Sequence, residues 1–248
     1  MLRRSPADCK GHLTTTGEPS QGRQPTQGLT RNVLLLSLVS LLTDISSEMT
    51  LTFLPFFLAN VLAAKTAVVG LIEGVADSTA SLSRLFSGWL SDVIRKRRAL
   101  AMVGYGLSAV SKPLLYFARS WGLVFAVRFS DRLGKGIRTA PRDALLAAST
   151  PAGARGLAFG FHRGADTAGA FVALSVVALV ICLTQGGVPL LHRLAFQRLV
   201  LIALVPGFLA LAVLALVKET PPAVQHESTT SPRPVSYTHL TLPTNREV

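Results

Sequence analysis

The sequence predicts an all-α membrane protein built as a bundle of six transmembrane helices. Three observations carry that expectation. Of 248 residues, 49% are hydrophobic and only 15% charged, with a mean hydropathy of +0.44, a balance found in integral membrane proteins rather than soluble domains. Six apolar runs, near 33–60, 67–90, 99–118, 121–145, 156–184 and 197–217, are each able to cross a hydrocarbon core of about 30 Å, which takes roughly 20 helical residues. The bases gather in alternate loops, as they do in a multi-pass chain. Helix is the expected form because every backbone donor and acceptor must be satisfied within the segment once water is gone. A barrel would show short alternating strands instead.

Along the chain, residues 1–31 are polar and rich in Gly, Pro, Thr and Gln, cannot bury enough apolar surface to fold alone, and read as a flexible cytoplasmic tail. The first apolar run starts only after this tail and exceeds a signal core of about 7–15 residues, so it is expected to stay as an anchor. Residues 32–217 are expected to form the bundle. Arg3, Arg4, Lys10, Arg23 and Arg31 precede the first span, Arg95 to Arg98 lie between the second and third, and Arg142 with Arg155 flank the connection from fourth to fifth. The opposite loops hold Lys65, Arg119, His192, Arg193 and Arg198. The positive-inside rule therefore places both termini in the cytoplasm. Pro55 and Pro113 are expected to kink their spans. Residues 218–234 read as a cytoplasmic linker, and Val235 to Thr244, VSYTHLTLPT, resembles a translated sequencing-library adapter, which makes 235–248 an expected artefact.

Charge inside the spans is the functional signal. An ionisable group near the bilayer centre costs at least about 2.5–3.5 kcal/mol on insertion scales, so it needs a wet cavity or a partner. Asp44 and Glu48 on the first span sit one helical turn apart and share a face. At about 1.5 Å per residue from Arg31, Asp44 lies near 20 Å deep, beyond snorkelling reach. Like charges at that spacing repel, which makes the pair a candidate for proton or substrate binding. Glu73 and Asp77 repeat the spacing on the second span, with Arg84 two turns on. On the fourth, Arg128, Asp131, Arg132 and Lys135 fall at about 10–21 Å from Trp121 by the same rise, and Arg128, Asp131 and Lys135 form one stripe. His162, Arg163 and Asp166 reach comparable depth on the fifth. The third carries only Lys112, and the sixth is uncharged from Leu199 to Val217. Spans one, two, four and five are thus expected to line a path for a small solute, with three and six turned to lipid. Arg84, Arg132 and Arg163 have a structural alternative, as ion pairs that hold helices together.

Other classes fit less well. The formal net charge of +12 does not imply nucleic acid, since the bases lie in short loops and the leading tail rather than on one solvated face with interleaved aromatics. Cys9 and Cys182 are expected on opposite sides of the membrane, and no CxxC or HExxH points to a metal; no cofactor is implied. A six-span intramembrane enzyme would need an activated nucleophile, yet there is no G-x-S-x-G and His162 has no evident serine partner. A channel would favour a ring of one charge sign, whereas both signs alternate here.

Two segments bear a family resemblance. Gly88-Trp89-Leu90-Ser91-Asp92, followed by Lys96 and Arg97, resembles the loop between helices two and three of the major facilitator superfamily, G-x-L-x-D-R-x-G-R-R, with Val93 in place of a base and Arg95 in place of a glycine. RFSDRLGKG, Arg128 to Gly136, resembles the superfamily's R-F-x-Q-G-x-G-x-G, with Asp131 and Arg132 replacing glutamine and glycine. On the fifth span Gly164 and Gly169 offer small packing residues, while Ala173-Leu174 stand where a glycine-proline pair is usual, so antiport is not implied. LTDISSEM (Leu42 to Met49) and DRLGKGIRTAPRDAL (Asp131 to Leu145) are similar to a bacterial branch of the family. The resemblance spans roughly residues 30–217. It implies the N-terminal six-helix half of a major-facilitator fold in the bacterial inner membrane, with a C-terminal half to complete it. It further implies alternating-access transport of a small solute, with proton coupling through acids of the first, second or fifth span. Gly88, Asp92, Lys96 and Arg97 would form a cytoplasmic gate.

Overall fold

The computed structural model describes residues 29–94, 96–185 and 193–219, leaving out the side chains of Asp92, Thr184 and Gln185. The leading tail to residue 28, most of the linker and the adapter-like end lie outside the described residues.

Helix covers each apolar run. α1 (Arg31–Leu51) starts at Thr30, whose hydroxyl accepts from the Val33 N–H at 3.4 Å, an N-cap that meets one orphan donor. The first run breaks at Thr52-Phe53 and resumes as α2 (Leu54–Asn60), with Pro55 in its first turn, where a missing N–H leaves nothing unpaired. Ala63 then takes a left-handed φ of 49° and its neighbour Ala64 donates back to Leu58 O at 2.9 Å, which turns the chain into α3 (Thr66–Ile94). α4 (Arg97–Ser111) passes into a 3-10 segment (Lys112–Phe117) opened by Pro113. α5 (Trp121–Ala148) and α6 (Arg155–Gln185) follow, joined through a short 3-10 turn, and α7 (Arg193–Leu214) ends the bundle. Arg31–Asn60, Ala152–Leu183 and Arg193–Leu214 are long and apolar enough to cross a membrane on length and composition alone; α3 and α5 match them in length but carry the charge.

Side-chain bonds fix which helix ends lie together. At one end Thr30 Oγ1 donates to Ser149 O at 3.0 Å, Asn32 Nδ2 donates to Lys218 O at 3.1 Å, and Arg98 Nη2 donates to Ala215 O at 2.6 Å. The Glu219 carboxylate accepts from the Arg98 N–H at 3.1 Å, a favourable place for negative charge at the N-terminus of α4. At the other end Arg193 and Gln197 of α7 donate to Ala118 O and Tyr116 O.

α5 packs chiefly between α3 and α4, and α1 between α6 and α7. Helices in lipid gain little from apolar burial against one another and depend on close van der Waals fit, so small residues mark their contacts. At the α4–α5 crossing a Cβ on Gly134 would lie 2.5 Å from Gly104 O, and at the α1–α6 crossing a Cβ on Gly169 would lie 2.7 Å from Leu41 O. Gly164 departs from expectation: among the described residues nothing beyond its own helix lies within 4 Å of where its Cβ would be, so of Gly164 and Gly169 only Gly169 is a packing residue. Apolar clusters close both ends. One gathers Leu54, Phe57, Leu58 and Phe196, with the Phe57 and Phe196 rings stacked 4.1 Å apart; the other gathers Val33, Leu36, Leu145, Leu146 and Leu214. Polar residues lie between them.

Candidate functional site

α5 supplies the backbone of this polar band. Arg128, Asp131, Lys135, Arg138 and Arg142 recur at steps of three or four, which puts them on one stripe of the helix. A stripe of charge inside a bilayer must meet partners, and neighbours on three helices supply them. Glu73 of α3 takes the Arg128 guanidinium in an ion pair. Arg132 Nε lies 3.4 Å from Asp77 Oδ1, where the Asp77 side chain keeps 68% exposure. Ser108 of α4 donates to Asp131, and Arg142 Nη1 donates to Ser40 of α1 at 3.2 Å while pairing with its own neighbour Asp143 at 2.9 Å.

Two clefts open along the stripe. The smaller is lined by Ser47 and Glu48 of α1, by Thr52 just past its end, and by Arg128, Asp131, Arg132 and Lys135 of α5. The larger, about 920 Å³ including its open mouth, is walled by α1 through Asp44, α3 through Arg84, α5 through Lys135 to Asp143, and α6 through Arg163 and Asp166. Lys135 belongs to both clefts. Charged walls therefore come from the first, second, fourth and fifth spans, the four expected from sequence.

The individual residues fare differently. Asp44 and Glu48 share a face of α1 but open on different clefts, and Glu48 accepts from the Thr52 hydroxyl. Glu73 and Asp77 are each tied to an arginine of α5. Asp166 lies 3.6 Å from Arg163 and 3.9 Å from His162. His162 is buried and lines neither cleft, and no hydrogen-bond partner meets either ring nitrogen among the described residues. Gly88 faces Ala140 at 3.9 Å from its would-be Cβ, an ordinary van der Waals contact. Lys96 is exposed and Arg97 half-buried at the start of α4, whereas the Asp92 side chain lies outside the described residues.

Three expectations need correction. Lys112 does not face lipid: it is 1% exposed and its ammonium donates to Ser46 at 3.0 Å and Ser47 at 2.9 Å on α1, because desolvating an ammonium without acceptors is far costlier than turning it inward. Arg142, expected to flank the fourth-to-fifth connection as a cytoplasmic base, is instead buried inside α5, which continues to Ala148. Arg84 forms no ion pair among the described residues, and Arg163 pairs within its own helix rather than between helices. Sequence reasoning misses Arg138 altogether. It is 4% exposed, with its guanidinium 4.5 Å above the Tyr105 ring, a cation–π contact. The signal is present in the chain, because Arg138 and Arg142 extend the spacing of Arg128, Asp131 and Lys135.

Residues 36–245 match the family model of the Major Facilitator Superfamily. An uncharacterised MFS-type transporter of Methanocaldococcus jannaschii is 39% identical over 195 residues, which is 78% of this chain and 46% of that protein. An uncharacterised protein of Mycobacterium bovis is 31% identical over 191 residues, 77% of this chain and 44% of that one. The chain thus spans about half the length of these curated relatives. Two crystal structures of a bacterial homologue of the human lysosomal transporter Spinster share the fold. The inward-facing occupied form gives a TM-score of 0.61 at 18% identity, over 77% of this chain and 44% of that one. The inward-facing unoccupied form gives 0.58 at 17% identity, over 77% and 43%.

Proposed function

This chain belongs to the major facilitator superfamily, and on that premise we propose that it forms the first six-helix half of a secondary transporter that moves a small solute by alternating access, coupled to protons. A second six-helix unit completes the carrier, consistent with relatives about twice as long. The observation that carries this reading is the charged cleft walled by α1, α3, α5 and α6. Ionised groups at such depth are retained where water and cargo reach them, and in transporters built from repeats the site lies near the midplane between the two units. Asp44 and Glu48, with Glu73, Asp77 and Asp166, supply carboxylates for proton uptake, while Arg128, Asp131 and Lys135 line the path; His162, buried outside both clefts, acts on it only through Asp166, 3.9 Å away. Gly88, Asp92, Lys96 and Arg97 form the gate on the cytoplasmic side of a bacterial inner membrane, with the N-terminus on that same side. The basic loops favour this orientation.

Flux into proteoliposomes bearing the complete two-half carrier tests the proposal. Uptake or efflux should saturate with solute and follow an imposed pH gradient, and Asp44→Asn should abolish the gradient's effect. Flux that rises linearly without saturation would favour a channel and overturn the carrier reading, and unchanged proton-driven flux in Asp44→Asn would remove that residue from coupling.

A further inference from the structure

The larger cleft carries more positive charge than the bundle's own ion pairs neutralise. Five bases and three acids line it. Arg142 is paired with Asp143 and Arg163 with Asp166. That leaves Arg84, Lys135 and Arg138 facing Asp44, and none of these four makes an ion pair among the described residues. Arg138 gives the sharpest sign. Tyr105 covers one face of its guanidinium, yet the buried Nη1 donates to nothing among the described residues. A buried charged donor without an acceptor costs more than a neutral one, so an arrangement that keeps it calls for an acceptor that comes and goes.

The backbone brings the three bases together. Lys135 and Arg138 are three residues apart on α5 and share its cleft face. Gly136 lets α3 approach so closely that the Arg84 backbone N would stand 3.2 Å from a Cβ placed there. Arg84 therefore leaves α3 directly beside the turn that bears Lys135.

We infer that the solute carries an oxyanion, a carboxylate or a phosphate, held by Lys135 and Arg138 of α5 and by Arg84 of α3. Charge-assisted hydrogen bonds from guanidinium and ammonium groups are the stronger kind, and arginine's planar fork suits both oxyanions. Asp44 acts as the internal competitor: it lines the same cleft as Arg138 and Lys135 and gives them up when the solute's anion arrives. This inference rests on the carrier reading for its cargo, but the binding chemistry can be measured without flux.

The test is thermal unfolding of the purified complete carrier with millimolar inorganic phosphate, alkyl phosphate, succinate or acetate, against tetraethylammonium and sorbitol at matched ionic strength. Selective ligands stabilise the folded state. At least one anion should raise Tm where the cation and the neutral solute do not. Arg84→Gln, at an exposed position without an ion pair among the described residues, should weaken that anion's apparent affinity by about 10-fold or more, the loss expected for one hydrogen bond to a charged group. Lys135→Gln should weaken it similarly. Lys65→Gln removes an exposed base that lines neither cleft and, as the control, should leave the affinity unchanged. The ranking of phosphates against carboxylates then identifies which oxyanion is carried. Stabilisation by the cation or neutral probe alone, no anion-specific shift, or an anion shift untouched by both Arg84→Gln and Lys135→Gln would each overturn the inference; the second result would mean that carboxylates of the opposing bundle meet these bases. Saturable flux of a cation or neutral solute would sink the oxyanion assignment and leave the carrier standing. Anion binding without any flux would do the reverse.

Discussion

Arg128 of α5 and Glu73 of α3 form an ion pair in which the arginine side chain is 6% exposed and the glutamate 27%. It clamps the two helices at the end of the stripe nearest Trp121. Removing one partner leaves the other charge uncompensated. Glu73→Gln is expected to destabilise the folded carrier by about 2–3 kcal/mol, below the cost for a fully buried pair because Glu73 keeps some solvent contact. The double variant with Arg128→Gln should lose less than the sum of the singles, and a double-mutant cycle on thermal unfolding in detergent reads the difference.

The glycine contacts give an internally controlled comparison. Gly134→Ala forces a methyl against the Gly104 carbonyl, and backbone cannot yield as a side-chain tip can, so a loss of about 1–3 kcal/mol is expected. Gly164→Ala adds the same methyl in open space and should be neutral or slightly stabilising, since alanine is the better helix former by about 1 kcal/mol. Unfolding midpoints of the two variants should therefore move in clearly different ways.

Ala63 offers a stabilising change. Its φ of 49° is a conformation that costs a residue with a Cβ roughly 1–2 kcal/mol and glycine almost nothing. Ala63→Gly is expected to raise stability by up to about 1 kcal/mol, the gain being reduced by the greater freedom of glycine in the unfolded chain. Retention of flux at a higher unfolding temperature would match this expectation.

Orientation is open to direct chemical reading. With Cys9 and Cys182 replaced by serine, Lys96→Cys and Arg119→Cys place single thiols at exposed positions on opposite ends of the bundle. An impermeant maleimide applied to intact spheroplasts should label the Arg119 position at once. The Lys96 position should react only after the membrane is opened. The reverse pattern would invert the assigned topology.

Much of this is legible in the chain alone. The six spans, their order and the four that carry the charge follow from run length and periodicity, because both are properties of one helix at a time. The one-turn spacing of charged residues on α1, α3 and α5 is equally visible. Lys112 escapes such a reading for a physical reason: a lone base on an apolar helix shows its sector but not what stands opposite, and only the approach of α1 reveals Ser46 and Ser47 there. Arg142 reads as a base flanking the connection because it lies near the end of its apolar run, although α5 runs on past it to Ala148 and buries it.

What the sequence determined by itself is a chain of six helices, most of whose polar residues had to turn away from lipid, since the desolvation cost of a charge depends on the side chain and the solvent and not on the fold. Only the tertiary structure decided which charges neutralise each other and which remain for a ligand. That outcome depends on the distance between side chains on different helices, set by backbone contacts such as Gly134 on Gly104 and Gly136 on Ala80, and no single helix encodes it.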